Sequence, residues 1–208
     1  RLVVEKDTAA IRGTLADSLK MVLFLTVPTS ALIVGLAIPL TRAIYERGHF
    51  TAADTLATAA ALVLYTVGIP FMSALRNVAA VFYAYKDAKT PMVASFCSIG
   101  LNLVMNVTLM WVIGYLAFPL STALAAVLNV GILYALLPRK LGPMELGPMA
   151  GYAGKLALAS AAGGGAAWLG YRLLAAEIGT SFLATAAGVA ACGLAGLGIF
   201  FAASRVLG

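Results

Sequence analysis

Six apolar segments, at about residues 19–44, 55–83, 91–113, 116–137, 152–174 and 181–206, dominate this chain. Each reaches the length of about 20 residues that an α-helix needs to cross the hydrocarbon core of a bilayer. Backbone amides find no water there, so a spanning segment must satisfy its own hydrogen bonds. These segments lack the alternation of about ten residues that marks a membrane barrel, and helices remain. Composition agrees: of 208 residues, 62% are hydrophobic and 11% charged, where a soluble domain carries about a quarter charged residues. The mean hydropathy is +0.98. The expected fold is an all-α membrane protein with six transmembrane helices.

The first residue is Arg1, and the first twenty residues hold no short apolar core followed by a small-residue cleavage site, so they do not read as a signal peptide. Residues 1–18 are expected to be a cytoplasmic amphipathic loop inside a longer protein, residues 19–140 a four-helix core, and residues 141–208 two further helices rich in Gly and Ala. An even number of spans puts both ends on one side. The loops of that side hold Arg1, Lys6, Arg12, Lys20, Lys86, Lys89, Arg139, Lys140, Lys155 and Arg205, against Arg42, Arg47 and Arg172 on the other. This bias makes the ends cytoplasmic. It also explains the net charge of +6 and the pI near 9.5 without nucleic acid, which would need the basic residues on one polar face. Cys97 and Cys192 each stand alone in an apolar run and carry no disulfide or metal signal.

The second segment has 29 residues, about 43 Å as a straight helix against a hydrocarbon thickness near 30 Å. Pro70, with Gly68 beside it, offers a bend, and Pro28 lies similarly deep in the first segment. Pro91 and Pro119 stand at helix starts, where proline is favoured. A packing kink and a moving hinge both account for the two deep prolines. The last two segments, with "AAGGGAAWLG" and "AAGVAACGLAGLG", permit close helix approach; the alternative is a shallow groove between them that holds a lipid chain.

Ionisable or strongly polar groups inside spans are the candidate site residues. Arg76, with Asn77 next to it, is the candidate for substrate binding. It lies about 10 Å from the cytoplasmic end of its segment. One reading has its long stem reaching the headgroups; the other has the guanidinium facing an inner cavity, where its fork of donors suits phosphate or pyrophosphate. Asn102 and Asn106 share a helix face one turn apart, and counting from the segment ends puts Thr122 level with Asn106 and Asn129 near Asn102. Two polar layers therefore line one helix hairpin. They either bond the helices together or offer neutral oxygen ligands to a hard cation such as Na+, at Asn102, Asn106 and Thr122. No carboxylate lies among them. His49, the one histidine, has no Cys or Ser motif around it, and no HExxH or phosphate-binding glycine loop is present, so the chain does not read as an enzyme.

"YERGHFTAADT" (residues 45–55) resembles a loop of the MurJ (MviN) family of lipid II flippases, with Gly48, Phe50, Thr51 and Asp54 in place. "FYAYKDAKTP" (residues 82–91) resembles that family's cytoplasmic loop through Phe82, Tyr83, Asp87, Thr90 and Pro91. The resemblance runs from about Leu15 to Lys140. It implies the last six of fourteen helices, the C-terminal bundle of a multidrug/oligosaccharidyl-lipid/polysaccharide exporter fold in the bacterial inner membrane. Its implied partners are membrane lipids, an N-terminal bundle, and the undecaprenyl-linked peptidoglycan precursor moved between leaflets by alternating access. It further implies a basic residue at Arg76, a tail groove along the last two helices, and a sodium site at the Asn102, Asn106 and Thr122 layer, where a carboxylate near Asn106 is missing. The rivals are a cation-coupled multidrug or polysaccharide-lipid exporter and a non-transporting membrane scaffold.

Overall fold

The computed structural model describes residues 8–143, 146–174 and 182–207, and every regular element among them is helical. The order is α1 (Thr8–Gly35), α2 (Ala37–Tyr45), α3 (Ala52–Ala84), α4 (Lys89–Ile113), a 3₁₀ turn (Gly114–Leu116), α5 (Ala117–Leu136), α6 (Pro138–Leu141), α7 (Leu146–Leu174) and α8 (Phe182–Leu207). Four stretches are long and apolar enough to cross a membrane: Thr8–Gly35, Ala52–Ala84, Lys89–Leu141 and Phe182–Val206. The third of these is folded back on itself, since α4 and α5 lie side by side, antiparallel, around the 3₁₀ turn. The fifth apolar segment forms a helix, α7, 29 residues long, but α7 is not among the four helical stretches long and apolar enough to cross a membrane. Large apolar side chains on the outer faces, such as Trp111 at 81% exposure and Val112 at 77%, suit hydrocarbon and not water.

Two boundaries differ from the sequence expectation. Residues 8–18, expected as a loop, are helical and open α1, because Ile11, Leu15 and Leu19 recur at helical spacing and are buried. The expected continuous helix over 19–44 is instead broken at Leu36, between α1 and α2. Pro39 supplies the reason: it has no N–H to offer the carbonyl of Gly35, one turn earlier, and its ring crowds that carbonyl. Pro28 and Pro70, in contrast, are carried inside α1 and α3.

The contacts divide the chain into two compact units, one of residues 1–26 with 67–153, the other of residues 27–66 with 154–208. The divisions in α1 and α3 fall close to Pro28 and Pro70. In the first unit, Leu15, Val78, Phe82, Leu133 and Leu137 form the centre of the core, and α3 meets α5 where a Cβ on Gly68 would stand 3.1 Å from the Ala123 Cα. In the second unit, Leu36, Ala167 and Cys192 pack together. Cys97, in the first unit, is exposed.

Loop residues fix the helix starts. Thr51 and Asp54 cap α3 reciprocally: the Thr51 N–H and hydroxyl donate to Asp54 Oδ2 at 2.8 and 2.7 Å, and the Asp54 N–H donates to Thr51 Oγ1 at 3.3 Å. Gly48 turns the preceding loop at φ +61°, a conformation glycine adopts without steric penalty. Glu46 accepts from the Thr55 hydroxyl at 2.7 Å and from Arg42 Nε at 3.2 Å; the Thr55 bond is the chief reason its carboxyl lies below the usual range.

Before α4, Asp87 accepts from the Thr90 N–H at 3.1 Å, from the Thr90 hydroxyl at 2.9 Å, and from Lys140 Nζ at 2.9 Å. The Lys140 bond, followed by the two from Thr90, lowers the Asp87 carboxyl to about 2. A carboxyl held below its ordinary value of about 3.9 stabilises the fold above that pH and loses the contribution as pH falls toward the folded value. The wild-type thermal midpoint is therefore expected to drop more steeply between about pH 4 and pH 2 than that of Asp87→Asn; parallel curves would show that the bridge contributes nothing.

Candidate functional site

The polar residues of the α4–α5 hairpin meet in a single network within the first unit. Asn106 Nδ2 donates to Asn102 Oδ1 at 3.0 Å, one turn away on α4. Across the hairpin, the Ser121 hydroxyl donates to Asn106 Oδ1. Asn102 Nδ2 closes the ring by donating to Ser121 Oγ at 3.3 Å and Thr122 Oγ1 at 3.4 Å, and Thr122 is anchored by its own bond to the Phe118 carbonyl at 2.8 Å. A deeper contact joins Asn129 Nδ2 to Ser95 Oγ at 3.4 Å.

Depth-matching from the sequence pairs Asn106 with Thr122 and Asn102 with Asn129. The structure pairs Asn106 with Ser121, Asn102 with Ser121 and Thr122, and Asn129 with Ser95. The physical reason is rotation: adjacent residues of a helix point about 100° apart, and Ser121, fully buried, is the one turned toward α4. Ser95 and Ser121 were missed because serine within an apolar run carries little weight unless its facing partner is known.

The seam satisfies itself. Asn102 Oδ1 and Asn106 Oδ1 each accept a bond from a neighbour, which is what interhelical bonding in a membrane requires, at about 0.6 kcal/mol per bond and up to about 1.7. The Asn129 Oδ1 differs: it is buried and has no hydrogen-bond partner among the described residues. No group of three His, Cys, Asp or Glu side chains gathers among the described residues to form a charged metal cage.

Arg76 and Asn77 stand apart from this seam. On α3 the faces through Ala74, Val78, Val81 and Phe82 are buried in the core, while Arg76 is exposed and Asn77 half-buried. Among the described residues, Arg76 makes no ion pair or hydrogen bond, so its guanidinium keeps all five donors free for an anion.

In the second unit, α7 and α8 do not leave the expected groove at mid-length. A Cβ on Gly163 would lie 2.7 Å from the Gly196 carbonyl oxygen, and one on Gly196 would lie 2.6 Å from the Gly163 oxygen. The two backbones touch there, with no room for a chain. The open space lies elsewhere in this unit: a cavity of about 420 Å³ bounded by the end of α1, α2, the first turns of α3 and the end of α7.

The sequence model described as "Lipid II flippase MurJ" matches residues 1–188. This chain belongs to the MurJ family. The lipid II flippase MurJ of Thermosipho africanus is 33% identical over 142 residues, which cover 68% of this chain and 30% of that protein. The probable lipid II flippase MurJ of Rickettsia prowazekii is 35% identical over 119 residues, covering 57% of this chain and 24% of the relative. The matched stretches thus cover about a quarter to a third of these MurJ proteins. The fold is that of a solved MurJ structure titled as the inward closed conformation, with a TM-score of 0.74 over 98% of this chain and 40% of that one, at 24% identity. The family name and the apolar helices together make this a multi-pass membrane protein.

The two motifs that carry the MurJ resemblance now have a physical role. Thr51, Asp54, Asp87 and Thr90 are helix-start acceptors and donors, Gly48 a left-handed turn, and Pro91 lies in the first turn of α4. In this structure they position helices.

Proposed function

We propose that this chain forms the last six of fourteen transmembrane helices, the C-terminal half, of a lipid II flippase in the bacterial inner membrane. In that reading the ends of the segment are cytoplasmic, and the whole protein moves the undecaprenyl-linked peptidoglycan precursor from the cytoplasmic to the outer leaflet by alternating access, as a transporter and not an enzyme. The observation that carries it is the family match over residues 1–188, with relatives named as lipid II flippases. Arg76 is the group that meets the precursor's pyrophosphate, with Asn77 beside it, because its guanidinium is unpaired and stands on the face of α3 that the core leaves uncovered. A guanidinium presents two parallel donors to a phosphate, geometry that lysine lacks.

The test is genetic. In a bacterium depleted of its own flippase, the whole gene is expected to restore growth and the Arg76→Ala form to fail at equal membrane abundance. Growth supported by Arg76→Ala would remove the pyrophosphate role while leaving the family assignment untouched.

A second element of the proposal is a sodium site at the seam. Asn102, Asn106, Ser121 and Thr122 converge four neutral oxygens within one hairpin, hard ligands of the type Na+ takes. All four oxygens already accept a bond within the seam, and no carboxylate stands among them, so the hairpin fits a monovalent ion only with further ligands from outside it. Sodium titration of the whole protein should show a binding isotherm that Asn106→Leu abolishes. Identical isotherms would leave the seam a purely interhelical contact.

A further inference from the structure

The cavity of the second unit is built like the socket for an amphiphile. Its wall is apolar, with Val34, Ile38, Leu56 and Val63 among the lining residues. From Leu56 to Val63 it follows α3 for about 10 Å. Every element that bounds it does so near an end: α1 at its last two residues, α2 at its first three, α3 in its first three turns, α7 in its last two. The start of α3 and the end of α7 lie beside polar loops, at headgroup level in a multi-pass membrane protein, while the junction of α1 and α2 lies within the apolar segment 19–44, so the cavity opens at the headgroups and deepens into the hydrocarbon.

Its mouth is charged. Arg172 lines the cavity two residues before α7 ends, is exposed, and forms no ion pair among the described residues. Trp168, one turn deeper on the same face, holds the guanidinium 5.3 Å from its ring centroid. This cation–π contact fixes the side chain's direction while leaving its N–H donors available. Tryptophan at this depth also suits the interface, where one edge is wet and the other apolar. A cation above an apolar slot is complementary to an anionic head above a hydrocarbon chain.

We propose that this cavity binds one acyl chain of an anionic phospholipid of the surrounding bilayer, with Arg172 meeting the lipid phosphate. The site is separate from Arg76 and from the seam, and it requires only that the protein be embedded in a bilayer. Its failure would leave the flippase reading standing, and the reverse also holds.

The experiment uses the whole protein in mild detergent, offered palmitoyl-oleoyl phosphatidylglycerol or phosphatidylcholine, with retained lipid counted by native mass spectrometry. The wild type is expected to retain one phosphatidylglycerol about tenfold more strongly than phosphatidylcholine, which carries the same phosphate but adds a quaternary ammonium whose charge opposes that of Arg172. Arg172→Gln should lose that preference and keep weak retention of both. Ala60→Phe, which puts a ring into the cavity, should lose both lipids; if it does not fold, the exposed Arg172→Gln still decides. An unchanged lipid preference in Arg172→Gln, or wild-type retention in Ala60→Phe, would overturn the proposal. So would displacement of the bound phosphatidylglycerol by an equal concentration of polyprenyl phosphate, which would assign the cavity to the carrier lipid instead.

Discussion

Gly196→Ala is expected to destabilise this protein although alanine is the better helix former. In an exposed helix the exchange gains about 0.8–1 kcal/mol. At Gly196 the added methyl would stand 2.6 Å from the Gly163 carbonyl oxygen, 2.7 Å from Leu32 Cδ2 and 3.0 Å from Ala167 Cβ. Of these only the leucine tip yields cheaply. The α7 and α8 backbones must separate, and overpacking of this kind costs about 1–3 kcal/mol or more. Gly198→Ala, on the same helix with nothing within 4 Å of its Cβ, is the control: it should be neutral or slightly stabilising. Thermal midpoints of the two variants in one detergent give the answer by sign alone, and equal midpoints would mean that the helices do not touch at Gly196.

The second large effect is expected at Asn102, which bonds to three side chains of the seam. Leucine there removes the acceptor of Asn106 Nδ2 and the donor to Ser121 and Thr122, and leaves the Nδ2 of half-buried Asn106 without an acceptor. An orphaned polar group of this kind costs about 1–3 kcal/mol, while the added apolar surface gains little against lipid tails. Asn102→Leu should thus lower the thermal midpoint by several degrees, and the double variant Asn102→Leu/Ser121→Ala by less than the two single effects summed, because both act on one network. Additive losses would show that Asn102 and Ser121 are not coupled.

The sequence made the helices and the two capped loops legible because each rests on a local rule. Segment length decided the fold class, and the loop motifs named Thr51, Asp54, Asp87 and Thr90 by resemblance before the hydrogen bonds gave the reason. The break at Leu36 was legible in principle: Pro39 bars the helix that would otherwise run through Gly35, but Pro28 is tolerated inside α1 by the same chain, so proline alone did not say which site would give way. The seam was found and its register missed. Counting from helix ends errs by a residue where a 3₁₀ turn sets the end, and one residue is enough to exchange Ser121 for Thr122.

The Gly/Ala texture of the last two segments supported both close packing and a groove. Only the distance between Gly163 and Gly196 separates them, and no single-chain pattern contains that distance. The cavity with Arg172 at its mouth joins residues from α1, α2, α3 and α7 that lie far apart in sequence. The sequence shows only which side of the membrane Arg172 faces, a property of position, whereas its relation to Trp168 and to the apolar slot is a property of packing.

The central claim is that the whole protein carries lipid II across the inner membrane with Arg76 as a contact for its pyrophosphate. The measurement that bears on it most directly is the exposure of lipid II at the outer face of flippase-depleted cells, read with a membrane-impermeant enzyme that cleaves the precursor. Cells expressing the whole gene are expected to expose cleavable lipid II, and cells expressing Arg76→Ala at equal abundance to accumulate it protected inside. Lipid II that stays protected in cells making the wild-type protein would contradict the account.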